Sequence, residues 1–270
     1  MCGIFAYLGS EPLSIQKVLE TMRLLEKDQE PGERNPVGGD GAGMAYLTRT
    51  KRFSLLKVGK TNGSPVDALS HRIEHTSESS ILILAHVRHA SAEFQNTIKH
   101  PECTQPYSPS CTKNLTIFTA HNGYLTNYQQ LKNNLPKTHH FESERIHLID
   151  SEVIAHVFEE ALTKQNDPTK AAHTLHEQTP GTPTQGNTIV ILTRNRNQTN
   201  LNTIQKGKTR GLAIWTNPQN EVIICSREKP IKHILGSTLE KNHYQQIIKI
   251  TRHDTTNTEA HFNQPGKTRH

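Results

Sequence analysis

Apolar and polar positions fall along this chain in short blocks. Residues 4–8 are an unbroken apolar run and predict a buried strand near the start. Ile15, Val18, Leu19, Met22 and Leu25 recur at helical spacing, and Pro31-Gly32-Glu33-Arg34-Asn35-Pro36 ends that helix in a loop. Residues 44–47 and 52–58 predict two strands joined as a hairpin. A helix over 66–73 follows, then the clearest buried strand, residues 81–87. Residues 96–110 carry Pro101, Pro106 and Pro109 and predict a long loop of the kind that forms lids. After a strand at 115–120 comes a helix over 124–131, stopped before Pro136. A stronger helix opens at Asp150, with Val153, Ile154, Val157, Phe158 and Leu162 on its apolar face. One more helix is expected beyond Pro168, then strands near 188–193, 212–216 and 221–226. There is no internal repeat and no composition break. The pattern predicts one domain over residues 1–250 and a polar, disordered tail over 251–270.

Composition narrows the classes. Over 270 residues the hydrophobic fraction is 33%, which predicts a modest core under polar loops. No stretch approaches the roughly 20 apolar residues of a membrane span, and no basic-then-apolar leader precedes Cys2. A cytoplasmic protein with reduced cysteines is the expectation. Cys2, Cys103, Cys111 and Cys225 form no C-x-x-C pair, so no metal and no cofactor is expected. The formal charge of +6 is spread thinly and lacks interleaved aromatics, which argues against nucleic acid.

Several motifs fail on inspection. Gly38-Gly39-Asp40-Gly41-Ala42-Gly43 follows a loop and precedes a strand, the wrong context for a dinucleotide site. It reads instead as a place where another backbone segment passes close. The Gly-Lys-Thr triplets at 59–61, 207–209 and 266–268 lack the upstream glycine of a phosphate loop. His71-Arg72-Ile73-Glu74-His75 matches a zinc-hydrolase pattern, with His71 and His75 as ligands and Glu74 as base. A solvated helix face explains those residues as well.

Four places carry sharper chemistry, each with a plain alternative. If Met1 is removed, Cys2 holds a thiol and an α-amine that can take its proton; otherwise it is a small core residue. Arg88, at the end of a buried strand, is either a surface ion-pair partner or a clamp for a carboxylate. Asn122-Gly123 is a tight turn, or a side-chain amide and a backbone N–H aimed at one oxyanion. Asp150 is a helix N-cap, or the anchor for an ammonium group, or both.

Met1-Cys2-Gly3-Ile4-Phe5, Gly39-Asp40-Gly41-Ala42-Gly43, Ala85-His86-Val87-Arg88, His121-Asn122-Gly123 and Asp150-Ser151-Glu152 stand in one order across residues 1–160. As an ordered set they resemble the class II glutamine amidotransferases of the N-terminal-nucleophile hydrolase superfamily. The resemblance implies an α+β fold, a four-layer αββα sandwich of two stacked antiparallel sheets. It further implies Cys2 as nucleophile and Asn122 with Gly123 as oxyanion hole. Arg88, Ser91 and Asp150 would bind glutamine or another γ-glutamyl amide. After Arg88 the segment His89-Ala90-Ser91-Ala92-Glu93 looks more like the stand-alone branch than like domains joined to a synthase. Glu93 stands where glycine is common. Ammonia would go to a separate synthase subunit; alternatively the protein hydrolyses a γ-glutamyl peptide or thiol metabolite itself, or is a silent regulatory subunit.

Overall fold

The computed structural model describes residues 2–73, 78–112, 115–195, 198–209, 211–234, 244–249 and 257–263. Its elements in chain order are β1 (Gly3–Ser14), α1 (Ile15–Lys27), β2 (Gly41–Leu47), β3 (Phe53–Gly59), α2 (Pro65–Ser70), β4 (Ser79–Arg88), β5 (Thr116–Asn122), α3 (Tyr128–Asn134), α4 (Asp150–Gln165), α5 (Pro168–Gln178), β6 (Gly186–Asn195), β7 (Gln198–Gly207), β8 (Ala213–Thr216), β9 (Val222–Cys225), α6 (Glu228–Ile234), β10 (Gln245–Lys249) and β11 (Asn257–Asn263).

Strand β1 is buried on both faces over its first seven residues, so it must lie inside a sheet that is itself covered on both sides. The sheet order is β10-β8-β9-β1-β4-β2-β3, and a second sheet runs β11-β7-β6-β5. The pairings are antiparallel throughout. Alternation along β1 divides its side chains. Ile4, Ala6 and Leu8 join Leu82, Leu84, Phe118, Ala120, Val190 and Leu201 in the core between the sheets. Phe5 and Tyr7 point the other way, into a core shared with Val18, Met22 and Leu25 of α1, Val66 of α2 and Ile231 of α6. A third core sits under the second sheet, where Ile117, Ile189 and Ile204 meet Val153, Ile154 and Phe158 of α4 and Ala172 and Leu175 of α5. Helix, sheet, sheet, helix is the expected αββα sandwich.

The glycine run is tighter than its sequence suggests. Gly41 and Gly43 are part of β2 rather than a lead-in to it. A Cβ on Gly43 would meet the Gln105 carbonyl oxygen at 2.2 Å. Residues 104–105 therefore cross this sheet in contact with its backbone, and only glycine leaves the room.

That crossing segment corrects the expected lid. A short 3-10 turn at Ala92–Thr97 runs into residues 96–110, and a second forms within them at Pro101–Cys103. Cys103, Thr104, Gln105, Pro106 and Tyr107 are buried. Tyr107 exchanges both backbone hydrogen bonds with Thr119 of β5, at 3.0 and 2.9 Å. Prolines there shape a packed strap that links the sheets.

Other boundaries move for local reasons. Helix α2 stops at Ser70, and α3 starts at Tyr128 rather than 124. Strand β7 was hidden by its polarity: Thr199, Asn200, Asn202, Thr203 and Gln205 are all buried in it. Part of the tail expected to be disordered is strand β11, which runs along β7 from Asn257↔Ile204 to Asn263↔Gln198. Ladder bonds are made by backbone groups, so a polar sequence can supply a strand where a neighbouring edge is open. Among the described residues no helix is long and apolar enough to cross a membrane.

Replacing Gly43 by alanine should force the Gln105 segment outward and lower stability by about 1–3 kcal/mol. Thermal unfolding measures this; an unchanged midpoint would show that the crossing yields freely.

Candidate active site

The two sheets splay where β1, β4, β5 and β9 end, and a cavity of about 350 Å³ opens there. Cys2, Arg88, Ser91, Asn122, Gly123 and Asp150 all line it. The six residues singled out from the sequence are thus brought together.

Register places the thiol. Gly3 pairs with Val87, which sets Cys2 beside the turn after Arg88. Its Sγ lies 3.4 Å from both the N–H and the carbonyl oxygen of His89. Burial pushes the Cys2 thiol up, and the His89 amide and the Arg88 guanidinium draw it part of the way back. A thiol raised by burial needs a base close at hand.

Asp40, from the glycine run, braces this turn. Its carboxylate accepts from the Ala90 N–H at 3.0 Å and from Lys60 Nζ at 2.9 Å, while its own N–H donates to the Arg88 carbonyl at 2.9 Å. Burial would raise this carboxyl, but the Lys60 and Ala90 hydrogen bonds outweigh it and hold it below the usual range.

Arg88 is 4% exposed and donates to the Thr97 carbonyl and to Thr97 Oγ1, at 3.3 and 2.7 Å. No carboxylate pairs with it among the described residues, so the surface ion-pair reading fails. Its buried guanidinium lines the cavity and can pair with an anion that enters there.

Asn122 ends β5. Its Nδ2 donates to Ser226 Oγ at 2.8 Å, and the same Ser226 oxygen accepts the Ile4 N–H at 2.9 Å. One hydroxyl thereby ties the oxyanion candidate to the strand that carries Cys2. Gly123 has φ of +152°, and a Cβ there would meet Asn187 Oδ1 at 2.4 Å. Its backbone can turn toward the cavity only without a side chain.

Asp150 is the first residue of α4; Ile149 holds the N-cap position, so the cap reading is corrected. The Asp150 carboxylate accepts from the Leu125 N–H and the Ser151 N–H, both at 2.8 Å. Beneath it lies a network that sequence reasoning missed. The Asn187 amide nitrogen donates to the Pro180 carbonyl, so its Oδ1 faces His121 Nε2 at 2.7 Å and fixes the proton there. Nδ1 of His121 then accepts from Ser151 Oγ at 2.9 Å. Gln105 closes the set, donating to Ser151 Oγ and to the His121 carbonyl at 3.1 Å each. Burial lowers His121, which keeps it neutral and leaves the Asp150 charge free to act on the cavity.

Glu93 is clamped. Its carboxylate accepts from the Tyr124 hydroxyl and, at 2.9 Å, from the Tyr128 hydroxyl, which pins the Ser91–Thr97 turn to α3. Of the zinc pattern, His71 is exposed beyond the end of α2, while Glu74 and His75 lie outside the described residues. The helix on which that pattern depends has already stopped.

No family model matches the chain. It is 33% identical over 159 residues to a glutamine–fructose-6-phosphate aminotransferase (isomerizing) of Chlamydia abortus, covering 58% of this chain and 22% of that protein. It is 34% identical over 174 residues to the enzyme so named from Helicobacter pylori, covering 63% and 24%. The chain thus spans about a quarter of the length of these relatives. Among solved structures, the glutamine phosphoribosylpyrophosphate amidotransferase of B. subtilis matches with a TM-score of 0.60 at 16% identity, over 93% of this chain and 45% of that one. The chain is thus similar in sequence to glutamine-dependent aminotransferases over about 60% of its length, and its fold is that of a glutamine amidotransferase structure.

One buried group makes a pH-dependent demand on this site. His86, opposite Ile4 and Gly43, has neither ring nitrogen hydrogen-bonded, and burial, then the Arg88 charge, push it down to about 3. Because the folded value lies below the unfolded one near 6.5, its contribution to stability is complete above that pH and is lost as pH falls toward 3. Urea unfolding at pH 7 and pH 5 should show wild type losing about 2 kcal/mol more than His86→Leu across that interval. An equal loss in both would mean that His86 accepts its proton without penalty.

Proposed function

We propose that this domain hydrolyses the side-chain amide of glutamine through a γ-glutamyl thioester on Cys2. The observation that carries the reading is the opposition, across one small cavity, of an anion-free buried guanidinium and a carboxylate without a cation. That pair matches the α-carboxylate and α-ammonium of an amino acid. At about 350 Å³ the cavity is at the small end of ligand sites, which suits a metabolite.

The chemistry follows from these contacts. Arg88 and Asp150 hold the zwitterionic end and fix the amide within reach of Cys2. Removal of Met1 frees the Cys2 α-amine, which takes the thiol proton directly or through one water. Sulfur attacks the amide carbon, and the carbonyl oxygen becomes an oxyanion held by Asn122 Nδ2 and the Gly123 N–H. The ammonium of Cys2 returns its proton to the departing nitrogen as the C–N bond breaks, releasing ammonia and leaving the thioester. Water, deprotonated by the same amine, attacks the thioester, and glutamate leaves as Sγ is reprotonated. Preorganised donors of this kind are each worth about 2.7–4 kcal/mol.

The acceptor of the ammonia is proposed to be a synthase domain or subunit. What favours this over a free-standing γ-glutamyl hydrolase is the relatives, which are named for transferring the glutamine nitrogen to fructose 6-phosphate. The Glu93 clamp also supports glutamine: it orders the turn bearing Ser91 without the glycine common at that position.

Intact mass after expression should show Met1 removed, and the protein should release ammonia from glutamine. Cys2→Ala should lower the rate by about three orders of magnitude or more, and a glutamine-analogue electrophile should add one adduct, on Cys2. Ammonia release that survives in Cys2→Ala would end this reading. So would processed wild-type protein that releases none.

Asp150→Asn should raise KM for glutamine on the order of a hundredfold, with a smaller change in kcat and only a modest fall in melting temperature. A normal KM with a collapsed Tm would make Asp150 a helix-start brace and nothing more.

A further inference from the structure

A second cluster of reactive side chains lies against α4, beginning about 9 Å along the helix from Asp150 at His156. Cys111, His139, His156 and Glu159 each offer one ligand atom, and these atoms all lie within 4.8 Å of one another. None of the four lines the cavity, and the mechanism uses none of them.

Four of the six separations are close to those of a coordination shell. His139 Nδ1 is 3.1 Å from His156 Nδ1, Glu159 Oε2 is 3.4 and 3.6 Å from those two nitrogens, and Cys111 Sγ is 3.7 Å from His156 Nδ1. A tetrahedral zinc ion with Zn–N and Zn–O near 2.0 Å and Zn–S near 2.3 Å sets its ligand atoms about 3.3–3.6 Å apart. One ion fits among them with little movement.

Partners on the far sides orient the ligands. His139 Nε2 is 3.2 Å from Glu160 Oε2, so that nitrogen carries the proton and Nδ1 presents its lone pair. Nε2 of His156 lies 4.0 Å from the Glu152 carboxylate. Glu159 Oε1 accepts the Thr112 N–H at 2.8 Å, while Oε2, on a residue 1% exposed, has no hydrogen-bond partner. These facing atoms can share only a proton among them, or a metal ion that takes all four lone pairs at once.

We propose that Cys111, His139, His156 and Glu159 bind a divalent transition-metal ion, zinc by preference. The donor set of one sulfur, two imidazoles and one carboxylate suits zinc and excludes calcium and magnesium. On binding, the Cys111 thiol proton is released to solvent. All four positions are filled by protein, so the ion is structural. It joins three segments far apart in sequence: the strap over the sheets, the turn before Phe141, and α4. The site stands apart from the glutaminase reading and survives its failure.

The test is metal content of the full chain, purified without a histidine tag, incubated with zinc chloride and desalted. About one zinc per chain is expected, falling below roughly a tenth in Cys111→Ser and His139→Ala. Cobalt(II) replacing zinc should give a thiolate-to-metal charge-transfer band that vanishes in Cys111→Ser. Cys111 is exposed, so that variant keeps its fold and decides the matter even if His139→Ala does not. Zinc-free wild type, or zinc retained in full by Cys111→Ser without a sulfur band in wild type, overturns the proposal. The latter result would assign the metal to surface histidines.

Discussion

Everything at the cavity depends on the register of one strand pair. Gly3 opposite Val87 is the pairing that sets Cys2 next to the arginine that ends the neighbouring strand β4. Side chains alternate along a strand with a period of two, so a slip of one residue would send Cys2 and Arg88 to different faces. The register is enforced by packing. Ile4, Ala6 and Leu8 are fully or almost fully buried between the sheets, and Phe5 and Tyr7 are equally buried under α1. Shifting the strand would exchange two sets of side chains that each fit only their own layer. The Ser226 hydroxyl, accepting from Ile4, then locks the third strand to this pair.

The site was legible where chemistry was concentrated at the ends of apolar runs. Cys2, Arg88, Asn122 and Asp150 each abut a strand or helix whose hydrophobic pattern is unmistakable, and the fold delivered all of them to one place. What supports them was not legible. Gln105 sits in a proline-bearing stretch that reads as solvent-exposed loop, yet it is buried and bonded to His121 and Ser151. Ser226 and Asn187 reach the site from strands more than 60 residues away from Asn122, and no local spacing announces such contacts. Asp40 was seen only as part of a glycine run, when its carboxylate is what shapes the turn after Arg88.

Polarity misled in a consistent direction. Strand β7 and the paired stretch in the tail are hydrophilic by composition, and the first is nonetheless buried along most of its length. Its asparagines and threonines occupy positions where hydrophobic residues are the norm, which explains why a chain with so low an apolar fraction still builds three cores. Cysteine spacing says nothing about the proposed metal site. A search for paired cysteines finds nothing here, because the proposed metal ligands include a single sulfur and are scattered over nearly 50 residues, gathered only by tertiary structure.

Ser226 has a temporal implication. It leaves the ribosome long after Cys2, Arg88 and Asn122, and its hydroxyl oxygen accepts from both the Ile4 backbone and the Asn122 amide. A nascent chain can lay down β1 to β6 and still lack the strut that holds the Asn122 amide. On the proposed function, the nucleophile is made first and armed last, so that an unfinished polypeptide would carry the cysteine without its completed site.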